Sequence, residues 1–115
     1  MAKILSDISA VVPILPTPFN ADESIDEPGF ETILAFAKAA GCTTVGLPAF
    51  GSEFYKLSGE ERNRILDIVF KHANGLKIIV QCNHASPKVV QALIKDAEAK
   101  GASAINTALP RAMPV

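Results

Sequence analysis

Cysteine is scarce in this sequence, with two residues among 115. Cys42 and Cys82 are not in a Cys-x-x-Cys arrangement, so their spacing does not indicate a metal site or a redox pair. Free cysteine behaves as a small apolar residue, and we therefore interpret both as buried free thiols. No zinc-ligand spacing, phosphate-binding loop, dinucleotide fingerprint or nucleophile elbow occurs either. We predict no metal and no cofactor.

A surplus of basic charge is also absent, because 11 lysines and arginines stand against 12 acidic residues and give a net charge of −1. Such a chain has no broad positive field to attract phosphate backbones, so we predict no nucleic-acid partner. The sequence has no uncharged apolar run of membrane-spanning length, and its beginning, MAKILSDISA, lacks the apolar stretch of a signal peptide. We therefore expect no membrane partner and a cytoplasmic location.

Apolar residues, in contrast, are plentiful. They make up 49% of the chain, and the mean hydropathy is +0.26. A length of 115 residues lies within the range of one domain. We therefore predict that residues 1–115 form a single domain with one core.

Strand-like and helix-like segments alternate along the chain. Apolar or β-branched runs predict strands at residues 10–15, 43–47, 77–81 and 103–108. Helices are predicted between them, because Asp26, the Ser58 to Glu61 capping box and Ser86 followed by Pro87 are helix-start signals. The second helix is expected at about residues 60–73. Gly41, the Asn74-Gly75 pair and Gly101 are typical helix ends.

The order βαβαβαβ favours parallel strands joined by right-handed crossovers. Two architectures fit it: an open flavodoxin-like sheet, in which four strands complete a domain, and the first half of a (β/α)8 barrel. In both, ligands bind where the strands end at their carboxyl side. This edge would be formed by residues 17–20, 49–55, 82–86 and 109–111.

Several motifs along the chain occur together in one known family. They are TPFN at 17–20 with SID at 24–26, GSE at 51–53, LS at 57–58 followed by EER at 60–62, and ALP at 108–110. In type and spacing this pattern resembles the dihydrodipicolinate synthase and N-acetylneuraminate lyase family, from about residue 9 to residue 114.

The resemblance implies a pyruvate-dependent class I aldolase or lyase on a (β/α)8 barrel, normally oligomeric, with a small 2-oxo acid such as pyruvate as its partner. In that family a lysine on the sixth strand forms a Schiff base and a tyrosine on the fifth strand transfers protons. Both positions are expected beyond Val115. We therefore predict only the first half of the barrel, no catalytic residue in this chain, and no activity of the chain alone.

One family site is expected within the chain, in the loop after the second strand. The family typically has Gly-Thr-Thr-Gly-Glu there, and alignment on Glu53 places Ala49, Phe50, Gly51 and Ser52 opposite its first four residues. The threonine hydroxyls are replaced by Phe50 and Gly51. Backbone N–H groups in a turn can still bind an anion. We predict Phe50, Gly51 and Ser52 as substrate-binding residues, with the carboxylate on the N–H groups of Gly51 and Ser52.

Four further residues lie near this edge. Arg111 stands where the family carries tyrosine, and either binds an acidic substrate group or is simply solvated. His84 is a candidate acid or base, although no carboxylate has an evident partner spacing. Lys56 is interpreted as exposed and protonated, and Glu53 as a residue that fixes the turn or caps a helix.

Three interpretations of the whole chain stay open from sequence. The chain is an incomplete aldolase, or two copies pair to complete a barrel and bind an oxo acid without Schiff-base chemistry, or it is a flavodoxin-like binding or regulatory module. A half-barrel would leave sheet edges open and one sheet face uncovered. Strand order separates the folds: 1-2-3-4 for a barrel and 2-1-3-4 for a flavodoxin-like sheet.

Overall fold

The computed structural model describes residues 11–108, in which three helices alternate with three parallel strands. In chain order the elements are α1 (Glu27–Ala39), β1 (Thr44–Gly46), α2 (Gly59–Lys71), β2 (Lys77–Gln81), α3 (Pro87–Lys100) and β3 (Ala104–Asn106). Two short 3-10 turns, Phe50–Ser52 and Phe54–Lys56, lie between β1 and α2. The alternation of strand and helix predicted from the sequence is confirmed.

The strands lie side by side in the order β1-β2-β3. Val45 pairs with Ile78 across the first ladder, and Val80 pairs with Ile105 across the second. The first predicted segment adds a parallel bridge from Ile14 to Gly46. Four segments therefore follow one another in chain order, as in a (β/α)8 barrel. A flavodoxin-like sheet would place the first segment between the second and the third, so this alternative is wrong for the fold.

The first segment is the largest departure from the predicted strands. Ala10 lies outside the described residues, and residues 11–15 contribute only the bridge at Ile14, although a strand was predicted over 10–15. The Leu15 N–H donates to the Gly46 carbonyl at 3.1 Å, and the Gly46 N–H donates to the Pro13 carbonyl at 2.9 Å. Pro13 has no N–H with which to extend this ladder toward the N-terminus.

The first and last residues of the other strands and of the second helix agree with the predicted ones to within two residues. The strand predicted at 43–47 is Thr44–Gly46, and the one predicted at 103–108 is Ala104–Asn106. The helix expected at about 60–73 is Gly59–Lys71, and it ends before Asn74 and Gly75, whose φ angles are +54° and +91°. His72 is the C-cap of this helix. Gly75 adopts its left-handed conformation without a Cβ penalty and turns the chain toward β2.

The predicted helix starts differ in their hydrogen bonds. Asp26 accepts the Gly29 N–H at 3.0 Å and caps α1. Ser58 and Glu61 form a reciprocal capping box at α2, in which each side chain accepts the other residue's N–H, at 3.1 and 2.9 Å. Ser86 occupies the corresponding position of α3, but its side chain makes no capping hydrogen bond.

The core is mainly aliphatic and lies between the sheet and the helices. Its largest fully buried side chains include Phe30, Leu34, Val45, Leu47, Ile65, Leu66, Val69, Ile78 and Val80. Both cysteines are free thiols as predicted, but only Cys82 is buried, while Cys42 is partly exposed. No helix within residues 11–108 combines the length and apolar character needed to cross a bilayer.

Candidate functional site

The carboxyl ends of the parallel segments meet at one edge of the sheet. Pro16 to Phe19 follows the first segment, the two 3-10 turns follow β1, and Asn83 to Ser86 follows β2. Parallel strands bring these loops together, as the sequence predicted. Leu109 to Arg111, also assigned to this edge, lies outside the described residues, so the prediction for Arg111 stays a prediction.

The loop after β1 is attached to the first segment by two side chains. The Ser52 hydroxyl donates a hydrogen bond to the Leu15 carbonyl. The Thr17 hydroxyl donates to the Ser52 carbonyl at 2.7 Å. Ser52 is 1% exposed, so its hydroxyl lies inside the fold. The serine and threonine therefore fix the loop against the first segment.

The backbone of this loop closes a compact turn. The N–H groups of Ser52 and Phe54 both donate to the Ala49 carbonyl, at 3.0 and 3.3 Å. Gly51, between Ala49 and Ser52 in the chain, is exposed. Of the three residues predicted to bind substrate, Phe50 and Gly51 begin the turn and Ser52 holds it in place. The Ser52 N–H, one of the two groups predicted to bind the carboxylate, is therefore already hydrogen-bonded within the turn. Binding by the rest of the turn stays a prediction, and the exposed backbone at Gly51 offers the most direct access.

Glu53, Tyr55 and Lys56 form the outer side of the same loop. Glu53 has a left-handed φ of +58°, and its carboxylate lies 2.9 Å from the Lys56 ammonium. The ammonium is also 5.8 Å from the centre of the Tyr55 ring. The hydrogen bond from Lys56 to Glu53 raises the pKa of the lysine. Lys56 is exposed, as predicted, and the raised pKa keeps it protonated, which disfavours an amine nucleophile.

The loop after β2 is linked both to α3 and to the end of β3. Asn83 Oδ1 accepts the Ala108 N–H at 2.8 Å and the Thr107 hydroxyl at 3.2 Å. His84 is exposed, and its Nδ1 accepts the Ser86 N–H at 2.9 Å. This contact gives His84 a role in holding the start of α3.

A buried arginine and thiol lie behind this edge. Arg62 Nη2 is 3.6 Å from Cys82 Sγ, and Arg62 Nε is buried without a hydrogen-bond partner among the described residues. Burial lowers the pKa of Arg62 and raises the pKa of the Cys82 thiol. Sequence analysis missed this pair. The spacing in the sequence could have indicated that Arg62 is buried. Arg62 is three, four and seven residues before Ile65, Leu66 and Val69, so it lies on the apolar face of α2.

Within residues 11–108, no three histidine, cysteine, aspartate or glutamate side chains come close enough together to hold a metal ion. At the described edge, a small ligand can reach the exposed backbone at Gly51 and the exposed side chains around it.

Comparison with known proteins shows which family contains this chain. A family model described as "Dihydrodipicolinate synthetase family" matches residues 7–111. The chain belongs to this family. It is 31% identical over 106 residues to 4-hydroxy-tetrahydrodipicolinate synthase of Acidobacterium capsulatum, and this match covers 90% of the chain and 35% of that protein.

Solved structures agree on the fold. The crystal structure of dihydrodipicolinate synthase from Rhodopseudomonas palustris matches with a TM-score of 0.82 and 25% identity, covering 89% of the chain and 34% of that structure. N-acetylneuraminate lyase from Proteus mirabilis matches with a TM-score of 0.81 and 24% identity, covering 90% and 35%. The fold is thus the first part of a (β/α)8 barrel, and the chain spans about a third of the length of these relatives.

Proposed function

We propose that this chain supplies the 2-oxo acid carboxylate site of a pyruvate-dependent aldolase or lyase. The observation that carries the proposal is the position of turn 50–52, which follows a parallel strand of a family barrel at its carboxyl end. The contacts of Ser52 and Thr17 with the neighbouring segment support it, because a site that is fixed before binding loses less entropy when it binds. The ligand would be a small 2-oxo acid such as pyruvate.

The chain alone is proposed to bind this ligand without forming a Schiff base. Schiff-base chemistry needs a desolvated lysine that is neutral and nucleophilic near neutral pH. Every lysine within residues 11–108 is at least partly exposed. Lys56, next to the turn, has a raised pKa because of Glu53, which is the opposite of what the chemistry requires.

Binding is tested by titrating the ¹⁵N-labelled chain with pyruvate and following the backbone amides of residues 49–54 by NMR. We expect saturable shifts centred on Gly51. Ethyl pyruvate is the matched control, since it keeps the ketone and removes the negative charge. Equal shifts with both compounds, or no shift with pyruvate, would reject a carboxylate site in this turn.

Schiff-base formation is tested separately, by adding borohydride to the chain with pyruvate and measuring the intact mass. The expected mass is unchanged. A mass gain equal to a reduced pyruvate adduct would refute the proposed lack of covalent chemistry and would identify the reacting lysine by peptide mapping. The two measurements together distinguish a binding chain from a catalytic one.

We further propose that the chain associates with itself. Among residues 11–108, β3 pairs with β2 on one side and no strand covers its other side. Val11, on the first segment, is 71% exposed. Open edges and exposed apolar side chains favour pairing with a second copy. Light scattering is expected to give a mass above that of one chain, and a monomer at high concentration would exclude association.

A further inference from the structure

The side chain of Ile14 lies over two glycines at the binding edge. A Cβ atom added to Gly46 would be 2.7 Å from Ile14 Cδ1, and one added to Gly51 would be 2.9 Å from Ile14 Cγ2. Both distances are well inside the ~3.5 Å separation of carbon atoms in contact. Ile14 therefore occupies the space that side chains at positions 46 and 51 would fill.

The backbone around Ile14 is held on both sides. The bridge to Gly46 fixes Pro13 and Leu15, and the Leu15 carbonyl accepts the hydroxyl of Ser52. A β-branched side chain on a fixed backbone has few rotamers. Ile14 is thus a rigid apolar wall beside the turn backbone, and the 47% of its surface that remains exposed is open to a ligand.

The apolar surface of Ile14 favours some ligands over others. Because Ile14 Cγ2 lies beside Gly51, a carboxylate bound to the backbone at Gly51 would have its neighbouring carbons next to the Ile14 side chain. Carbon atoms lose water favourably there, whereas a ligand hydroxyl would lose water without gaining a hydrogen bond from the wall.

We propose that Ile14 is a specificity-determining residue, which makes this site prefer a 2-oxo acid with an apolar carbon beside the oxo group over one hydroxylated at that carbon. The inference rests on the proposed function, because it assumes that the carboxylate binds at the turn. It adds the substrate class and the residue that selects it.

The test compares pyruvate with 3-hydroxypyruvate by NMR titration of the full chain. We expect the wild type to bind pyruvate about tenfold more tightly, the size of effect that one unmatched polar group produces. Ile14→Thr places a hydroxyl on the same branched carbon and is expected to bring the two affinities close together. Ile14→Val is the matched control, because it keeps both γ carbons and removes only Cδ1, and its preference should stay near wild type.

Each outcome separates this inference from the proposed function. If the wild type binds both acids equally, or if Ile14→Thr keeps the full preference, Ile14 is not the selecting residue, although the carboxylate site stands. If the wild type binds neither acid, the proposed function fails and the inference fails with it. A nuclear Overhauser contact between the pyruvate methyl group and the Ile14 methyl groups is expected in the wild type. Its absence overturns the inference even if the variants do not fold.

Discussion

The hydroxyl of Ser52 donates a hydrogen bond to the backbone carbonyl of Leu15, 37 positions earlier in the chain. Both residues are buried, and the Thr17 hydroxyl returns a hydrogen bond to the Ser52 carbonyl at 2.7 Å. The turn after β1 is therefore built on the first segment as much as on its own sequence.

Replacing Ser52 with alanine is expected to destabilise the fold by about 1–3 kcal/mol, since the buried Leu15 carbonyl would lose its side-chain donor. Urea denaturation of the variant and the wild type measures the difference. Ser103→Ala, at a partly exposed position before β3, is the control and should stay within about 0.5 kcal/mol of wild type. Equal losses in the two variants would show that the Ser52 contact contributes nothing.

A second prediction concerns Arg62. Its guanidinium is buried, and its Nε has no hydrogen-bond partner within residues 11–108, which lowers the stability of the folded state. We expect Arg62→Met to be as stable as the wild type or more stable, since it fills similar space without a charge. Arg62→Ala should be less stable than Arg62→Met by about 2 kcal/mol, because it leaves a cavity. Both are measured by urea denaturation. A methionine variant as unstable as the alanine variant would mean that the guanidinium stabilises the fold.

The two thiols should differ in reactivity. Cys82 is fully buried and burial raises its pKa, so little reactive thiolate is present at neutral pH. Cys42 is partly exposed. Ellman's reagent is expected to label one thiol per native chain quickly and the second only after unfolding. Cys42→Ser should abolish the fast phase and Cys82→Ser should leave it. A fast phase that survives Cys42→Ser contradicts the assignment.

Acid should weaken the contact between α1 and α2. Hydrogen bonds from His72 and Lys71, at 3.1 and 3.0 Å, lower the pKa of Glu27 below its ordinary value of 4.5. A lowered pKa in the folded state means that the carboxylate stabilises the fold fully above the unfolded pKa, and that this contribution disappears as the pH falls through the folded pKa.

Glu27→Gln is therefore expected to reduce the loss of stability below about pH 4.5. Urea midpoints measured across the acid range give the slope for each variant. Glu98→Gln, on the exposed surface of α3, is the control and should keep the wild-type slope. Identical slopes for wild type and Glu27→Gln would remove Glu27 from the acid response.

The sequence predicted the elements well because their signals are local. Asp26, Ser58 with Glu61, and Gly101 each fix a helix end through groups a few residues away, and the structure confirms all three. Pro13 interrupts the apolar run at residues 10–15 in the sequence, but its effect on strand pairing depends on the neighbouring strand. The first segment was therefore predicted as a strand and forms a single bridge.

The site was less predictable because its contacts join distant parts of the chain. The family motifs located the turn at Gly51 to Glu53, yet nothing local indicates that the Ser52 hydroxyl faces Leu15 or that Ile14 covers Gly51. Arg62 lies at helical spacing with the apolar residues of α2, which indicates burial, but a charged arginine side chain normally lies on the surface. Its burial against Cys82 follows from the packing of α2 on β2.

The crowding of Ile14 against Gly46 and Gly51 also bears on how this part of the chain can vary among descendants of one gene. An alanine at position 46 or 51 should be tolerated only after position 14 has become smaller, so substitutions at the three sites are expected to arise in a fixed order. Related sequences that carry a side chain at position 51 should therefore have a compact residue where this chain has isoleucine.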